Sequence, residues 1–291
     1  MTKISVIPAA GLGTRLLMAT KEVPKEMLPV FDAGPAGYLC VKPLLQVIYE
    51  KLYDVGFRTF CFIVGRGKRA IEDHFSCDWE FVRYLESRGK TRHAEELASF
   101  YKRLERSTIM FVNQPEPKGF GDAIYRVKEL TRSEPFLVHA GDDLVLSSEN
   151  SHIVRLMRVF YEKKADAAFL IEEVEDPRRF GVIRGVKESP GVYRVVDVVE
   201  KPETPPSRMA IVAIYVFNDS IYDALEKTGP GYGGEIQLTD AIGRLIIDGG
   251  RVFAVKLLPD EKRIDISTPD SYWNALRVTY EYALSRSRRT L

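Results

Sequence analysis

Short runs of apolar, β-branched and aromatic residues recur along the chain and predict strands. Eight such runs stand out, at residues 4–9, 58–65, 108–113, 136–141, 167–174, 193–199, 210–217 and 251–257. In the first half they alternate with segments of helical periodicity, at about 43–55, 67–75 and 120–130. This alternation predicts an α/β fold with a Rossmann-like, mixed but mostly parallel central sheet and helices on both faces.

Three further segments complete the predicted architecture. Residues 79–105 are charged with helical spacing and are broken at Gly89, which predicts a helical hairpin laid over the core. After residue 165 strands become denser, as in a mixed extension of the sheet. A last helix is predicted over about 269–286, where Pro269 suits the first turn. Because no flexible linker or internal repeat interrupts the pattern, we expect one domain over residues 1–291.

Composition excludes several classes of protein. Lys and Arg number 42 against 41 Asp and Glu, a net charge of +1, which argues against a nucleic-acid-binding protein. The three cysteines have no C-x-x-C spacing, so we expect neither a disulfide framework nor a zinc site. The chain lacks a signal-peptide pattern and an apolar run long enough to span a membrane, so we expect a cytoplasmic protein without a membrane partner.

The first predicted strand leads into a loop that reads AAGLGTR. Gly11 and Gly13 lack a Cβ, so their backbone N–H groups can approach a phosphate chain. Thr14 adds a hydroxyl, and Arg15 adds a guanidinium that suits phosphate oxygens. Three interpretations stay open: an ordinary turn, a dinucleotide fingerprint, or a loop for another nucleoside triphosphate. The fingerprint is incomplete because Leu16 replaces its third glycine, and no Walker A sequence occurs.

Further residues that could bind phosphate or its metal ion lie in a later loop and at later strand ends. Lys25 lies in a loop stiffened by proline and can reach a phosphate from a second side. Asp142 and Asp143 end an apolar strand, where α/β sheets gather ligands and a carboxylate suits Mg²⁺. Glu200 and Lys201 end another strand: the lysine can bind a phosphate and the glutamate can accept from hydroxyls.

The stretch AAGLGTRLLMATKEVPKEMLPV, residues 9–30, resembles the N-terminal signature of the sugar-1-phosphate nucleotidyltransferases, in particular the bacterial uridylyltransferases. The stretch GGEIQLTDAI, residues 233–242, matches the same pattern. Two departures occur: Met18 replaces the usual proline, and residues 32–43, DAGPAGYLCVKP, are longer than the family's DKP. The resemblance implies a GT-A-like nucleotidyltransferase fold.

The resemblance also implies a set of site residues. The nucleotide would be bound by Ala10, Gly11, Gly13, Thr14, Arg15, Gln114 and Gly119. The sugar phosphate would be bound by Gly181, Glu200 and Lys201. The catalytic group would comprise Arg15, Lys25, Asp142 and Lys201. The cofactor would be Mg²⁺, held by Asp142 and Asp265.

The implied reaction joins UTP and glucose 1-phosphate to give UDP-glucose and pyrophosphate. A sugar-phosphate oxygen attacks the α-phosphorus in line, so no protein nucleophile is needed. Residues 1–145 would form the nucleotide-binding half, residues 146–265 the sugar-phosphate half and residues 266–291 a C-terminal helix. Family membership further implies a homo-oligomer, either a dimer or a tetramer.

Other functions stay open from the sequence. Within the family, dTTP or another sugar 1-phosphate could replace the expected substrates. A metal-dependent glycosyltransferase could use Asp142 and Asp143 with a nucleotide sugar. An NAD-dependent dehydrogenase would need Asp32 as the acid that binds the ribose. A sugar-nucleotide sensor would lack catalysis altogether.

Overall fold

A computed structural model describes residues 2–34, 37–132 and 134–287. Part of the 32–43 stretch and the end of the expected C-terminal segment, residues 35–36 and 288–291, therefore lie outside the described residues. No helix among the described residues is long and apolar enough to cross a membrane. Cys40, Cys61 and Cys77 are all free thiols, as their spacing predicts.

The described residues form thirteen strands. They are β1 Ile4–Pro8, β2 Pro29–Ala33, β3 Leu39–Pro43, β4 Thr59–Val64, β5 Thr108–Asn113, β6 Phe136–His139, β7 Asp143–Leu146, β8 Ala167–Glu173, β9 Gly181–Ser189, β10 Val192–Glu200, β11 Met209–Phe217, β12 Val252–Lys256 and β13 Lys262–Asp265. All eight strands predicted from the apolar runs are present.

Eleven α-helices accompany them in the described ranges. They are α1 Leu17–Thr20, α2 Leu44–Asp54, α3 Arg69–His74, α4 Trp79–Ser87, α5 Thr91–Glu105, α6 Phe120–Tyr125, α7 Lys128–Thr131, α8 Ser151–Glu162, α9 Ser220–Glu226, α10 Leu238–Ile247 and α11 Pro269–Ser287. The helical hairpin over 79–105 is confirmed: α4 and α5 pack together, and Gly89 lies between them with φ +71°.

Nine of these strands form one sheet, in the order β5-β4-β1-β6-β11-β8-β12-β10-β9 across the described chain. The expectation of a mostly parallel sheet is wrong for the second half. β5, β4, β1 and β6 pair in parallel, whereas β11 is antiparallel to both β6 and β8, and β10 to both β12 and β9. β9 and β10 are joined by a short hairpin, β11 reaches β6 and β8 through longer connections, and β12 pairs with β8 in parallel.

The sheet is covered on both faces, as expected. Side chains alternate along the strands, so that in β4 Phe60 and Phe62 pack on one core while Cys61 and Ile63 pack on the other. The first core lies under α2, α5, α8 and α11, and the second under α6, α9 and α10. The strand ends that carry the candidate site residues are held between these two packed layers.

Candidate active site

The glycine loop after β1 is fixed by hydrogen bonds at its base and open at its tip. Gly13 has φ +64°, a left-handed conformation that favours glycine. The Thr20 hydroxyl donates to the carbonyl oxygens of Gly13 and Leu16, at 2.9 and 3.0 Å. Ala10 is buried, while Gly11, Thr14 and Arg15 are exposed. The loop therefore presents backbone N–H groups, a hydroxyl and a guanidinium to solvent.

Lys25 lies against this loop and pairs with Asp142. Its Nζ is 2.5 Å from Asp142 Oδ2, and a Cβ built on Gly11 would lie 3.8 Å from that same ammonium nitrogen. Burial opposes both charges, but their mutual attraction prevails, so the pKa of Lys25 is raised and that of Asp142 is lowered. Both groups are charged at neutral pH, and the structure brings together two of the predicted catalytic residues.

Glu26, which the sequence did not indicate as a site residue, is a buried neighbour of this pair. Its side chain is buried and accepts a 3.0 Å hydrogen bond from Lys68 Nζ. Glu26 therefore pairs with Lys68 inside the protein, while the neighbouring Lys25 pairs with Asp142. A glutamate next to a loop lysine carries no periodic signal, so the sequence alone could not reveal it.

The second predicted metal ligand, Asp265, lies on the strand next to Asp142. β7 and β13 pair antiparallel with Asp143 opposite Asp265, and the backbone N–H of Ile266 donates to the Asp142 carbonyl at 3.1 Å. The Asp265 carboxylate accepts a hydrogen bond from the Ser267 hydroxyl and contributes to the raised pKa of Lys25. Asp142 therefore contacts Lys25 directly, and Asp265 acts on the same ammonium at longer range.

Asp143 has a structural partner instead of an open position. Arg263 donates to both of its carboxylate oxygens, at 3.0 and 2.9 Å, and its other end donates to Glu172 at 2.7 Å. The guanidinium also lies 5.1 Å from the centre of the Phe180 ring. Arg263 thus connects β7, which begins directly after Asp142, to the loop that precedes Gly181, a link that the sequence did not predict.

Gln114 and Gly119 lie in one shaped loop after β5. The amide nitrogen of Gln114 donates to the Gly119 carbonyl at 3.1 Å and to Asp122 Oδ2 at 2.8 Å. Since both partners are acceptors, the network fixes the amide orientation. Gly119 has φ +114°, and a Cβ there would lie 2.6 Å from the Ile236 carbonyl oxygen. The loop is therefore docked tightly on residue 236.

Gly181, Glu200 and Lys201 form the second predicted group. A Cβ on Gly181 would lie 3.1 Å from Glu200 Oε2, and that oxygen also accepts a 2.6 Å hydrogen bond from Thr239. Lys201 Nζ lies 3.2 Å from Glu200 Oε1 and 4.8 Å from the Tyr232 ring centre. Thr239 and Tyr232 are additions to the predicted set, and both come from the segment that begins at the glycine-rich stretch after α9.

The carboxylates near Lys25 offer the oxygen ligands that Mg²⁺ prefers. No cluster of three His, Cys, Asp or Glu side chains suited to a metal occurs in the described ranges. Mg²⁺ bound with substrate phosphates uses only one or two protein carboxylates. Asp142, a quarter exposed, and Asp265 on the neighbouring strand β13 provide that number of hard oxygen ligands, so the residues present fit the ion.

Comparison with known proteins assigns the class. The family model described as nucleotidyl transferase matches residues 4–281, and the chain belongs to this family. It is 39% identical to the UTP–glucose-1-phosphate uridylyltransferase of Bacillus subtilis over 284 residues, covering 96% of this chain and 90% of that protein. It is 36% identical over 285 residues to the protein of the same name from Pseudomonas aeruginosa, covering 97% of each.

The fold agrees with a solved structure of similar description. The crystal structure of UDP-glucose pyrophosphorylase complexed with UDP-glucose superposes with a TM-score of 0.82 at 32% sequence identity. The match covers 97% of this chain and 100% of that one. The architecture is therefore a mixed α/β nucleotidyltransferase fold. Asp32, which a dehydrogenase would need at the ribose, instead lies on β2 in an ion pair with Lys42.

Proposed function

We propose that this protein transfers the uridylyl group of UTP to glucose 1-phosphate, giving UDP-glucose and pyrophosphate. The observation that carries the proposal is the Lys25–Asp142 pair against an open glycine loop. It occurs in a chain that aligns over nearly its whole length with proteins named for this reaction. A cation, a carboxylate and free backbone donors at one strand edge are what a triphosphate requires.

The nucleotide is bound by the glycine loop and the Gln114 loop. Gly11, Gly13 and Thr14 donate to the phosphates, and Arg15 closes over them. Because Gln114 uses its amide nitrogen within the protein, its carbonyl oxygen is left as an acceptor. An acceptor suits the N3–H of uracil, which supports a uracil-type base.

The sugar phosphate is bound by the group around Lys201. The Lys201 ammonium attracts the phosphate, and Glu200 accepts hydrogen bonds from sugar hydroxyls. Gly181 allows the sugar to approach the backbone. Residues 1–145 then act as the nucleotide half and residues 146–265 as the sugar-phosphate half of one domain.

The reaction is an in-line displacement at the α-phosphorus. A phosphate oxygen of glucose 1-phosphate forms the new bond, the bond between the α-phosphorus and the bridging oxygen breaks, and pyrophosphate departs with that electron pair. The attacking phosphate is already largely dianionic at pH 7, so no general base is required. The work of Lys25, Arg15 and Lys201 is to bring two anions together and to stabilise the charge of the transition state.

Mg²⁺ is proposed as the cofactor, held by Asp142 and Asp265 together with substrate phosphates. When bound, the ion neutralises phosphate charge and polarises the phosphoryl oxygens. Lys25, which balances Asp142 in the free protein, is then available to the triphosphate. The predicted homo-oligomer, dimer or tetramer, stays a prediction that sedimentation analysis can test.

A panel assay of pyrophosphate release tests the function. UTP with glucose 1-phosphate should be the best pair, ahead of dTTP and of galactose or N-acetylglucosamine 1-phosphate. A metal-dependent glycosyltransferase would release no pyrophosphate from these pairs. Absence of pyrophosphate with every pair would contradict the proposed activity.

Asp142→Asn tests the site. We expect kcat to fall on the order of 10²–10³-fold, since an electrostatic group at the reacting phosphates is lost. Binding of glucose 1-phosphate, measured by calorimetry, should change little. Asp248→Asn, which alters an exposed carboxylate paired with Lys227, is the matched control. Near-normal turnover of Asp142→Asn would remove this residue from the mechanism.

A further inference from the structure

Arg263 of β13 is a buried cation outside both groups of residues assigned to substrates. Its Nε lies 2.9 Å and one terminal nitrogen 2.7 Å from Asp143 Oδ2, and its other terminal nitrogen donates to Glu172 Oε1 at 2.7 Å. The side chain is only 11% exposed. A planar guanidinium can bind two carboxylates at once, whereas an ammonium is a single point charge. Asp143 of β7 and Glu172 of β8 therefore fix the orientation of this guanidinium.

The fixed guanidinium lies over the ring of Phe180. Its central carbon is 5.1 Å from the centre of that ring, within the reach of about 6 Å that a cation–π contact requires. Phe180 is half-buried and directly precedes β9, and its N–H donates to the Pro177 carbonyl at 3.0 Å. Phe180 is therefore restrained through its backbone by the turn before it and through its ring by Arg263.

Phe180 in turn holds the backbone of Lys201. The Phe180 carbonyl accepts a 3.0 Å hydrogen bond from the Lys201 N–H. Lys201 has φ +41°, a left-handed conformation that is unfavourable for a residue with a Cβ and persists only where neighbouring contacts impose it. The hydrogen bond to Phe180 is one such contact, and the pairing of Glu200 with Gly181 between β10 and β9 lies next to it.

We infer that Arg263 and Phe180 are positioning residues for Lys201. The guanidinium holds the Phe180 ring, and the Phe180 carbonyl holds the Lys201 backbone in the conformation that directs its ammonium to the sugar phosphate. This rests on the proposed role of Lys201, which is to bind the phosphate of glucose 1-phosphate. Since Asp143 directly follows Asp142, the same contacts link the Lys201 site to the strand end where the nucleotide phosphates are expected.

Two exchanges at Phe180 separate positioning from a purely structural role. Phe180→Leu removes the ring but keeps an apolar side chain, and it should raise KM for glucose 1-phosphate about three- to tenfold. KM for UTP and kcat should stay close to the wild-type values, which steady-state assays of pyrophosphate release measure. Phe180→Tyr keeps the ring and should match the wild type. Phe81→Leu, the same exchange at an exposed ring of α4, is the control.

Arg263→Lys tests the other end of the contact. The lysine keeps the charge but cannot bind both carboxylates and lie over the ring at once, so KM for glucose 1-phosphate should rise at least as much as in Phe180→Leu. If Arg263 acts through Phe180, the double variant should have the KM of Arg263→Lys alone, not the product of the two effects. Arg277→Lys, in an exposed ion pair with Glu281, is the control.

Amide hydrogen exchange of the full chain measures the same contact without turnover. Exchange of the Lys201 N–H should be several-fold faster in Phe180→Leu and in Arg263→Lys than in the wild type, because its hydrogen bond to Phe180 opens more often. The N–H of Lys256, which donates to the Gly191 carbonyl at 2.7 Å, should keep its rate. A general loss of stability would accelerate exchange at both amides.

Unchanged exchange at Lys201 in both variants would overturn the inference. So would faster exchange with a wild-type KM for glucose 1-phosphate, or a double variant whose effects multiply. If Arg263→Lys does not fold, the Phe180 variants still decide the question. A wild-type chain that releases no pyrophosphate contradicts the proposed function, whereas the exchange rates still show whether these contacts hold the Lys201 backbone.

Discussion

Lys201 adopts an unusual backbone conformation at the point where its side chain is needed. Its φ is +41°, which is uncommon for a residue with a Cβ, and its N–H donates to the Phe180 carbonyl at 3.0 Å. This geometry directs the ammonium between Glu200 and the face of Tyr232. The ring and the carboxylate together hold the lysine where the sugar phosphate is expected.

Tyr232→Ala should therefore raise KM for glucose 1-phosphate about three- to tenfold, since a cation–π contact contributes about 0.5–2 kcal/mol. KM for UTP should stay unchanged, and Tyr232→Phe should restore the wild-type value because it keeps the ring. Tyr84→Ala, which removes an exposed ring next to Arg88, is the control. A Phe variant as impaired as the Ala variant would argue for the hydroxyl instead.

At the scale of single residues, the sequence predicted the charged residues at strand ends but not the side chains that contact them. Asp142 and Lys201 follow short apolar runs and Lys25 lies in the loop that follows the glycine turn, and their chemistry suggests phosphates and metal. Arg263 and Glu26 act through contacts with residues distant in the chain, and no local pattern encodes such contacts.

The loop over residues 113–121 and the segment before α10 behave as one element. The N–H of Ile236 donates to the Lys118 carbonyl, and the N–H of Gly121 donates to the Ile236 carbonyl, each at 2.8 Å. Gly119 fits between them without room for a side chain. The wall of the expected base pocket is thus built from both halves of the chain.

Gly119→Ala should weaken UTP binding, seen as a higher KM, and lower the free energy of unfolding by about 1–3 kcal/mol. Gly67→Ala, at φ +82° but with open space around the new Cβ, separates backbone strain from the clash with Ile236. If both variants lose the same stability and keep the same KM, the docking of the loop on residue 236 is unimportant.

Element prediction succeeded where apolar periodicity is strong and failed where strands are short or polar. β13 reads KRID and β7 has only four residues, so neither stands out from a loop. β9 is exposed along most of its length, and its buried residues end at Ile183. These strands form by pairing with neighbours, which a local window does not detect.

Across the whole molecule, buried histidines should make stability depend on pH. His139 is buried, its Nδ1–H donates to the Ala140 carbonyl, and burial lowers its pKa to about 4. As pH falls from 6.5 toward 4, His139 becomes protonated in the unfolded chain but stays neutral in the folded protein. The free energy of unfolding therefore decreases over that range. The histidine itself stays neutral in the folded state at pH 7.

His139→Gln should reduce this pH dependence. Between pH 7 and 4.5 its free energy of unfolding should fall by about 2 kcal/mol less than that of the wild type. Denaturant unfolding at a series of pH values measures the difference. His93→Gln, on the exposed surface of α5, should show the wild-type slope. Equal slopes for all three proteins would mean that His139 is protonated in the folded state.

The whole architecture was predicted only in part. Helical crossovers between β1, β4 and β5 specify parallel neighbours, and these were anticipated. The insertion of β11 between β6 and β8 is a long-range pairing that places a strand from the second half beside the first. Sequence spacing alone does not determine that order, because several arrangements bury the same apolar faces.

The two backbone hydrogen bonds of Ile236 affect the order in which the two substrates bind. A base that stiffens the 113–121 loop also restrains the glycine-rich run ahead of α10, and with it Tyr232. Glucose 1-phosphate then binds to a segment that is already restrained, so less conformational entropy is lost in this second binding step. Amide exchange at Gly233 and Gly234 should slow when UTP alone is added, before any sugar is present.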